Sequence, residues 1–321
     1  TQGYLAYRDR SLPSYRTDQI TTMEVQRAWA PAYLVERVDT KEESGKLVPT
    51  WNLKSPITGP SNMGVAEFIA NMLTGTTTDK LITDQATPQQ LDETYGLVHN
   101  PTLRVIVKTA ADAAKTGETP AKDAPKPYAG GTYTYTLGKK LPDNSPYPGH
   151  YYARVEVSLN DGTPVDSNSF VFALPLSYLQ SLDLELRNTQ VFPEDKTKPQ
   201  SLRLSWRGET AEKQPLQTEL EMELNNETWE IRKLTENGTD AKAKLSQLDQ
   251  AQVNALLRYG PQPAPYGPSL NPLQVERFWQ HTGDINPAYK LEENAARLVI
   301  EVKYSDGKPR KLILGESFKP T

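Results

Sequence analysis

Three kinds of side chain in this sequence could carry chemistry: its histidines, a row of glutamates and one serine-lysine pair. The histidines are His99, His150 and His281. Each lies in a different segment, and none has the H-x-x-x-H or H-x-H spacing that lets one element offer two imidazoles to a cation. Surface or loop positions are the expectation for all of them. Glu219, Glu221 and Glu223 alternate along one strand-like stretch and so share a face. Carboxylates placed together could hold a cation or act as an acid-base pair; a solvated row of like charges is the plainer reading. Ser305 and Lys308 fit S-x-x-K, the spacing of a serine nucleophile with a lysine partner. Yet S-D-G-K between two strand-like runs reads first as a hairpin turn, and the companion motifs of that chemistry are missing. No G-x-S-x-G, phosphate loop or dinucleotide fingerprint occurs. The chain has no cysteine, which excludes thiolate catalysis, disulfides and cysteine-ligated metal centres. No catalytic, metal-ligating or cofactor-binding residue is expected, and no cofactor.

Binding to a protein partner has better candidates. In Y-Y-A-R, alternation sets Tyr152 and Arg154 on one face of a strand and Tyr151 with Ala153 on the other. The stretch G-P-Q-P-A-P-Y-G-P could present a polyproline face through Pro263, Pro265 and Tyr266. A stiff connector is the competing reading of that stretch.

Positioning these residues falls to alternating and helical segments. Residues 20–27 and 32–38 read as strands. In S-N-M-G-V-A-E-F-I-A-N-M-L-T-G, Val65, Phe68, Ile69, Met72 and Leu73 form one helical stripe. Ser61 is placed to cap that helix and Gly75 to end it in the left-handed conformation. T-P-Q-Q-L-D-E-T-Y-G-L predicts a short helix capped by Thr87 and terminated by Gly96. Strands follow at residues 103–109, 132–138, 151–159 and 169–174, and Leu176, Leu179 and Leu182 mark a short closing helix.

The order then recurs. Strands at residues 201–206 and 216–224 lead to Trp229, which answers Trp51, and Val253, Leu256 and Leu257 stand where Val65, Phe68 and Ile69 stood. Tyr289 answers Tyr95, and Gly315 of I-L-G answers Gly138 of T-L-G. An insertion with an extra helix near residues 271–282, capped by Asn271 and started by Pro272, stretches the second set, and the last hairpin of the first has no counterpart. The expected fold is α+β, with two tandem related units, 1–182 and 183–321, each an antiparallel sheet with helices packed on one face. The second unit is expected to be incomplete at its C-terminal end.

Composition bounds the possible partners. Hydrophobic residues make up 36% and charged residues 24% of 321 residues, and the net charge is -4. That balance argues against a nucleic-acid partner, which calls for a basic stripe. No stretch approaches the roughly 20 apolar residues of a membrane helix. The sequence begins at Thr1 rather than methionine; removal of a signal peptide or membrane anchor and an expression boundary both account for that.

The order of strand pair, W-x-L-x-x-P, helix, L-D-E-T-Y-G-L-x-x-P, V-x-V, T-L-G and Y-Y-A-R resembles the family known as domain of unknown function 4340. Trp51, Leu53, Pro56, Tyr95, Gly96, Leu97, Pro101, Leu137, Gly138, Tyr152, Ala153 and Arg154 carry the resemblance in the first unit. Trp229, Tyr289 and Gly315 carry it more weakly in the second, which lacks the proline and has Lys290 in place of the glycine. The resemblance implies a bacterial envelope protein, tethered to the inner membrane on its periplasmic face and associated with ABC transporter components of the gliding-motility type. It brings no activity or catalytic residue, and it makes the motif residues structural. The expected function is a non-enzymatic scaffold or binding subunit whose partners are proteins such as a transporter permease. The alternative is an envelope hydrolase acting on glycan or peptide with carboxylates from both units.

Overall fold

A computed structural model describes residues 12, 14–41, 45, 47–77, 80–112, 128–192, 197–244, 249–258, 270, 272–278, 280 and 283–316. The chain divides into two compact units, Thr1–Asn188 and Thr189–Thr321.

In the first unit, alternation builds the sheet. The strands are β1 (Ile20–Arg27), β2 (Ala30–Lys41), β3 (Leu47–Ser55), β4 (Gly59–Pro60), β5 (Leu81–Thr83), β6 (Leu103–Thr109), β7 (Gly131–Lys140), β8 (His150–Leu159) and β9 (Val171–Pro175). They form one nine-stranded sheet in the order β4-β3-β2-β1-β6-β7-β8-β9-β5, antiparallel at every pairing. Every second residue turns inward, so Met23, Val35, Leu53, Val107 and Tyr133, which lie in one row across the strands, are all buried. Helix α1 (Met63–Thr74) adds Ala66, Ile69, Ala70 and Leu73 to that core, and α2 (Leu176–Leu182) adds Leu179 and Leu182.

The second unit holds a smaller antiparallel sheet. Its strands are β10 (Gln190–Phe192), β11 (Pro199–Glu209), β12 (Pro215–Asn225), β13 (Thr228–Glu236), β14 (Thr239–Asp240), β15 (Leu273–Gln274), β16 (Leu298–Tyr304) and β17 (Pro309–Leu314). Six of them form a sheet in the order β14-β13-β12-β11-β16-β17, and β10 pairs separately with β15. Leu202, Met222, Trp229, Val302 and Tyr304 meet Val253 and Leu257 of α3 (Gln250–Leu257) in its core. Leu270 closes over α3, its N–H donating to the Leu256 carbonyl at 2.7 Å.

These sheets correct the α+β expectation. Among the described residues strand accounts for 46% and helix for 18%, and large antiparallel sheets, not helices laid over one sheet face, make the architecture. The reason lies in element length: alternation runs for 8 to 12 residues in strands such as β1 and β2, whereas α2 and α3 last 7 and 8 residues. The extra helix expected near residues 271–282 is also not seen in the described part of that segment. Leu273–Gln274 there is strand β15, and pairing with a distant strand overrides the helix-start signal of its proline.

Details of α1 differ as well. Asn62, not Ser61, caps it by accepting from the Val65 N–H at 3.3 Å, while the Ser61 hydroxyl donates to the Trp51 carbonyl at 2.6 Å. Gly75 ends the helix at φ -88°, outside the left-handed region. The buried stripe runs through Ala66, Ile69, Ala70 and Leu73, so Phe68 is rotated outward and 47% exposed. Small residues let the helix approach the sheet closely, which the larger side chain would prevent. Phe68→Ser is therefore expected to change stability by no more than about 0.5 kcal/mol, and Ile69→Ala to cost about 2–5 kcal/mol. Thermal melts of the two variants check this; a large loss for Phe68→Ser would mean that its ring is covered.

Candidate functional site

Tyr152 and Arg154 share the face of β8 that points away from Ala153, Val155 and Val157 in the core. Tyr152 meets Tyr95 with ring centroids 4.8 Å apart at 58°, an edge-tilted geometry that aromatic quadrupoles favour. Arg154 is 17% exposed along its side chain, pairing with Glu156 at 3.0 Å. Its Nε donates to the Asn168 carbonyl at 2.9 Å. Asn168 in turn holds the Val157 backbone at both ends, with Oδ1 accepting at 2.7 Å and Nδ2 donating at 2.8 Å. Arg154 thus fixes the turn after β8, and its remaining exposure is small. Pro263, Pro265 and Tyr266 lie outside the described residues.

Motif residues seat loops and helices. The Tyr95 carbonyl accepts from the Lys139 N–H at 2.8 Å. Gly138 passes so close to that carbonyl that a Cβ would collide with it. Gly96 follows at φ +65°, the left-handed region glycine enters freely, and Leu97 is buried behind it. The Thr102 hydroxyl donates to the Gly138 carbonyl at 2.6 Å, beside half-buried Pro101. Trp51 is buried, and Pro56 is half-buried and follows a cis peptide bond. In the second unit Trp229 is buried; Gln250 of α3 accepts from its N–H at 2.8 Å and donates to its carbonyl at 2.7 Å. Gly315 approaches the Tyr289 carbonyl as Gly138 approaches that of Tyr95, and Lys290 takes φ +49°.

The glutamate row lies on the outer face of the second sheet, where register sets Glu221 between Arg203 and Lys233 and diagonal neighbours supply cations to Glu219 and Glu223. One row across β13, β12, β11, β16 and β17 reads Lys233, Glu221, Arg203, Glu301 and Lys311. Signs alternate along it. Lys233 also lies 2.8 Å from Glu219, and Arg232 lies 2.7 Å from Glu223. The hydrogen bond from Lys233 holds the Glu219 carboxyl below the usual range and raises the lysine in return. Lys311 likewise lowers Glu293. Two open depressions flank Arg203, of about 190 and 310 Å³, walled by Arg207, Glu219 and Glu293 on one side and by Glu223, Arg232 and Lys303 on the other.

Other chemistry-bearing residues are dispersed. His99 Nδ1 lies 2.9 Å from Asp92 on the surface. His150 Nε2 lies 2.5 Å from Lys80 Nζ at the start of β8; His281 is outside the described residues. Ser305 and Lys308 occupy the exposed turn between β16 and β17, where the Lys308 N–H donates to the Asp306 carboxylate at 3.0 Å. Among the described residues no group of three or more His, Asp or Glu is placed to hold a metal ion. Sequence reading missed the tyrosines of the first core. Tyr15 donates to the Ala70 carbonyl at 2.6 Å and meets the Tyr133 ring edge-on at 5.1 Å, and burial raises the pKa of both. The alternation of T-Y-T-Y-T around Tyr133 and Tyr135 is the signal that marks them.

Fold and site together define an antiparallel β protein whose motif residues brace the backbone and whose charged face is neutralised by its own cross-strand pairs. The chain belongs to the family described as Domain of unknown function (DUF4340), whose model matches residues 51–294, a single span from β3 across the unit boundary. No curated protein and no solved structure matches the chain.

Proposed function

We propose that this protein is a non-enzymatic, extracytoplasmic scaffold or binding subunit, tethered to the inner membrane of a bacterium and associated with an ABC-type transporter. The observation that carries the non-enzymatic part is the pairing of Glu219, Glu221 and Glu223 with Lys233, Arg203 and Arg232. A hydrolase acting through carboxylates needs one whose pKa is raised so that it can deliver a proton; Lys233 pulls Glu219 the opposite way. The transporter association and the periplasmic address rest on the resemblance of the motif residues. No helix of the described residues is long and apolar enough to cross a membrane, so the tether would be a segment outside them. Affinity purification of the full-length protein from its native membranes, followed by mass spectrometry, tests the reading. Recovery of permease and ATPase subunits is the expected result, and recovery of the protein without either would overturn it.

We also infer that the units are tandem copies. The order β3-β2-β1-β6-β7 has the connectivity of β13-β12-β11-β16-β17. Ladder pairing aligns the row Leu53, Val35, Met23, Val107, Tyr133 with the row Ile231, Met222, Leu202, Val302, Arg310. Read along the strands from those rows, Trp51 falls on Trp229 and Gly138 on Gly315. Hydrogen-bond register and motif spacing thus support the same correspondence independently.

A further inference from the structure

Lys80 and His150 bring a nucleophile and a base into direct contact. Lys80 precedes β5, where its carbonyl accepts from the Ala173 N–H at 3.0 Å, and His150 opens β8, where its carbonyl accepts from the Leu141 N–H at 2.8 Å. With both backbones fixed, the side chains meet with Lys80 Nζ 2.5 Å from His150 Nε2. On the other side of the ring, Nδ1 lies 3.1 Å from the Pro148 carbonyl. A carbonyl only accepts, so the proton of the neutral imidazole is assigned to Nδ1 and Nε2 turns its lone pair to the lysine. The Tyr147 ring, 5.5 Å from Nζ, helps to hold the amine there.

Nucleophile, base and a third group that orients the base make the geometry of an activated side chain. Lysine attacks only as the free amine, so the group it faces governs how readily it reacts. Lys54 and Lys233 face Glu36 at 2.6 Å and Glu219 at 2.8 Å, and a carboxylate favours the charged ammonium. Imidazole offers a lone pair with no negative charge. Lys80 and His150 are both half-buried, so each keeps a side open to a small reagent.

We propose that Lys80 is a site of covalent acylation, with His150 as its base and an activated acyl group, carried by an acyl phosphate or a thioester, as the donor. The ammonium gives one proton to Nε2, and the freed electron pair forms the N–C bond at the acyl carbon. The leaving group departs with the electron pair of its own bond to that carbon and takes up one proton, while the imidazole passes the second N–H proton to water. An amide remains, the lysine has lost its charge, and nothing is oxidised or reduced. The modification needs no partner subunit, so it stands or falls apart from the transporter association.

The test treats the complete chain with acetyl phosphate in one arm and an acetyl thioester in the other, and follows acetylation at each lysine by peptide mass spectrometry. Lys80 should react on the order of tenfold or more faster than Lys54 and Lys233 in at least one arm, and the responding arm names the donor. His150→Gln leaves a hydrogen-bond acceptor beside the amine but no base, so Lys80 should then fall to the rate of the other two. No preference for Lys80 in either arm overturns the proposal. A preference that survives in His150→Gln overturns it as well, because exposure and not the imidazole would then set the rate. Should His150→Gln fail to melt cooperatively, the comparison among lysines of the unaltered chain decides, and His150→Asn repeats the control.

Discussion

Gly138→Ala should destabilise the first unit by about 3 kcal/mol or more, which lowers Tm by on the order of 10 °C. Gly315→Ala should do the same to the second. At Gly138 a Cβ would meet the Tyr95 carbonyl oxygen and, just behind it, the backbone of Gly96. Backbone cannot swing aside as a lysine tip can. The loop is pinned from both sides, by the Lys139 N–H on the Tyr95 carbonyl at 2.8 Å and by the Thr102 hydroxyl on the Gly138 carbonyl at 2.6 Å. Making room means either straining a buried strand, at about 1–3 kcal/mol or more, or losing a hydrogen bond worth about 1 kcal/mol. Gly149→Ala is the control. It takes φ +75° with nothing within 4 Å of a Cβ, so it carries the left-handed penalty alone, about 1–2 kcal/mol. Melts followed by probes in each unit separate the effects. If Gly138→Ala costs no more than Gly149→Ala, the turn yields and the close approach is not a constraint. If Gly138→Ala and Gly315→Ala differ severalfold, the two close approaches are not equivalent constraints.

How much of this was legible in the sequence depended on the range of the interaction involved. Strands β1, β6 and β8 were readable because side-chain period 2 is a local property, and Gly96 because a glycine closing a short turn points to positive φ, here +65°. The existence of α1 was readable, but its rotation was not: the stripe of large residues named Phe68, and the sheet selected Ala66 and Ala70 instead. Its cap went to Asn62 because Ser61 is drawn off by the Trp51 carbonyl, a partner ten positions away. Non-local pairing accounts for the other differences. The run after Pro272 has a helix-start signal, yet it supplies β15 to pair with β10. The glutamate face was visible as a row, whereas its neutralisation was not, because Lys233, Arg203 and Arg232 reach it only through strand register. The same holds for Tyr152, whose aromatic partner Tyr95 comes from a distant turn.

Arg27→Ala should cost about 3–5 kcal/mol, the largest loss expected from any single charge in the first unit. Nothing in M-E-V-Q-R distinguishes this arginine from a strand-end surface cation, yet its side chain is 3% exposed. Its guanidinium lies 3.1 Å from Asp183, donates to the Leu184 carbonyl at 2.7 Å and stands over the Tyr33 ring at 5.1 Å. Trp29 reaches the same carboxylate at 3.3 Å, and the Tyr33 hydroxyl bonds Glu185. These contacts hold the chain after α2 against β1 and β2, and Leu186 is buried beyond them. Removing the guanidinium takes the donor from the Leu184 carbonyl and the cation from Asp183, which keeps the Trp29 N–H, and an unmet buried group costs more than a made hydrogen bond contributes. Arg27→Met separates charge from packing, because it keeps an apolar stem of similar length. Its loss should be smaller than that of Arg27→Ala but still above 1 kcal/mol, about the worth of an exposed pair. Arg27→Lys should recover part of the charge but not the fork that serves Asp183 and Leu184 together. Denaturant unfolding gives the energies, and amide exchange at Leu184 and Leu186 shows where they act. The expected pattern is exchange there quickened more than in β6, because the segment would detach before the sheet opens. Uniform quickening across the unit would instead place Arg27 in the sheet core proper, and a loss below 1 kcal/mol for Arg27→Ala would show that water replaces the guanidinium at no net cost.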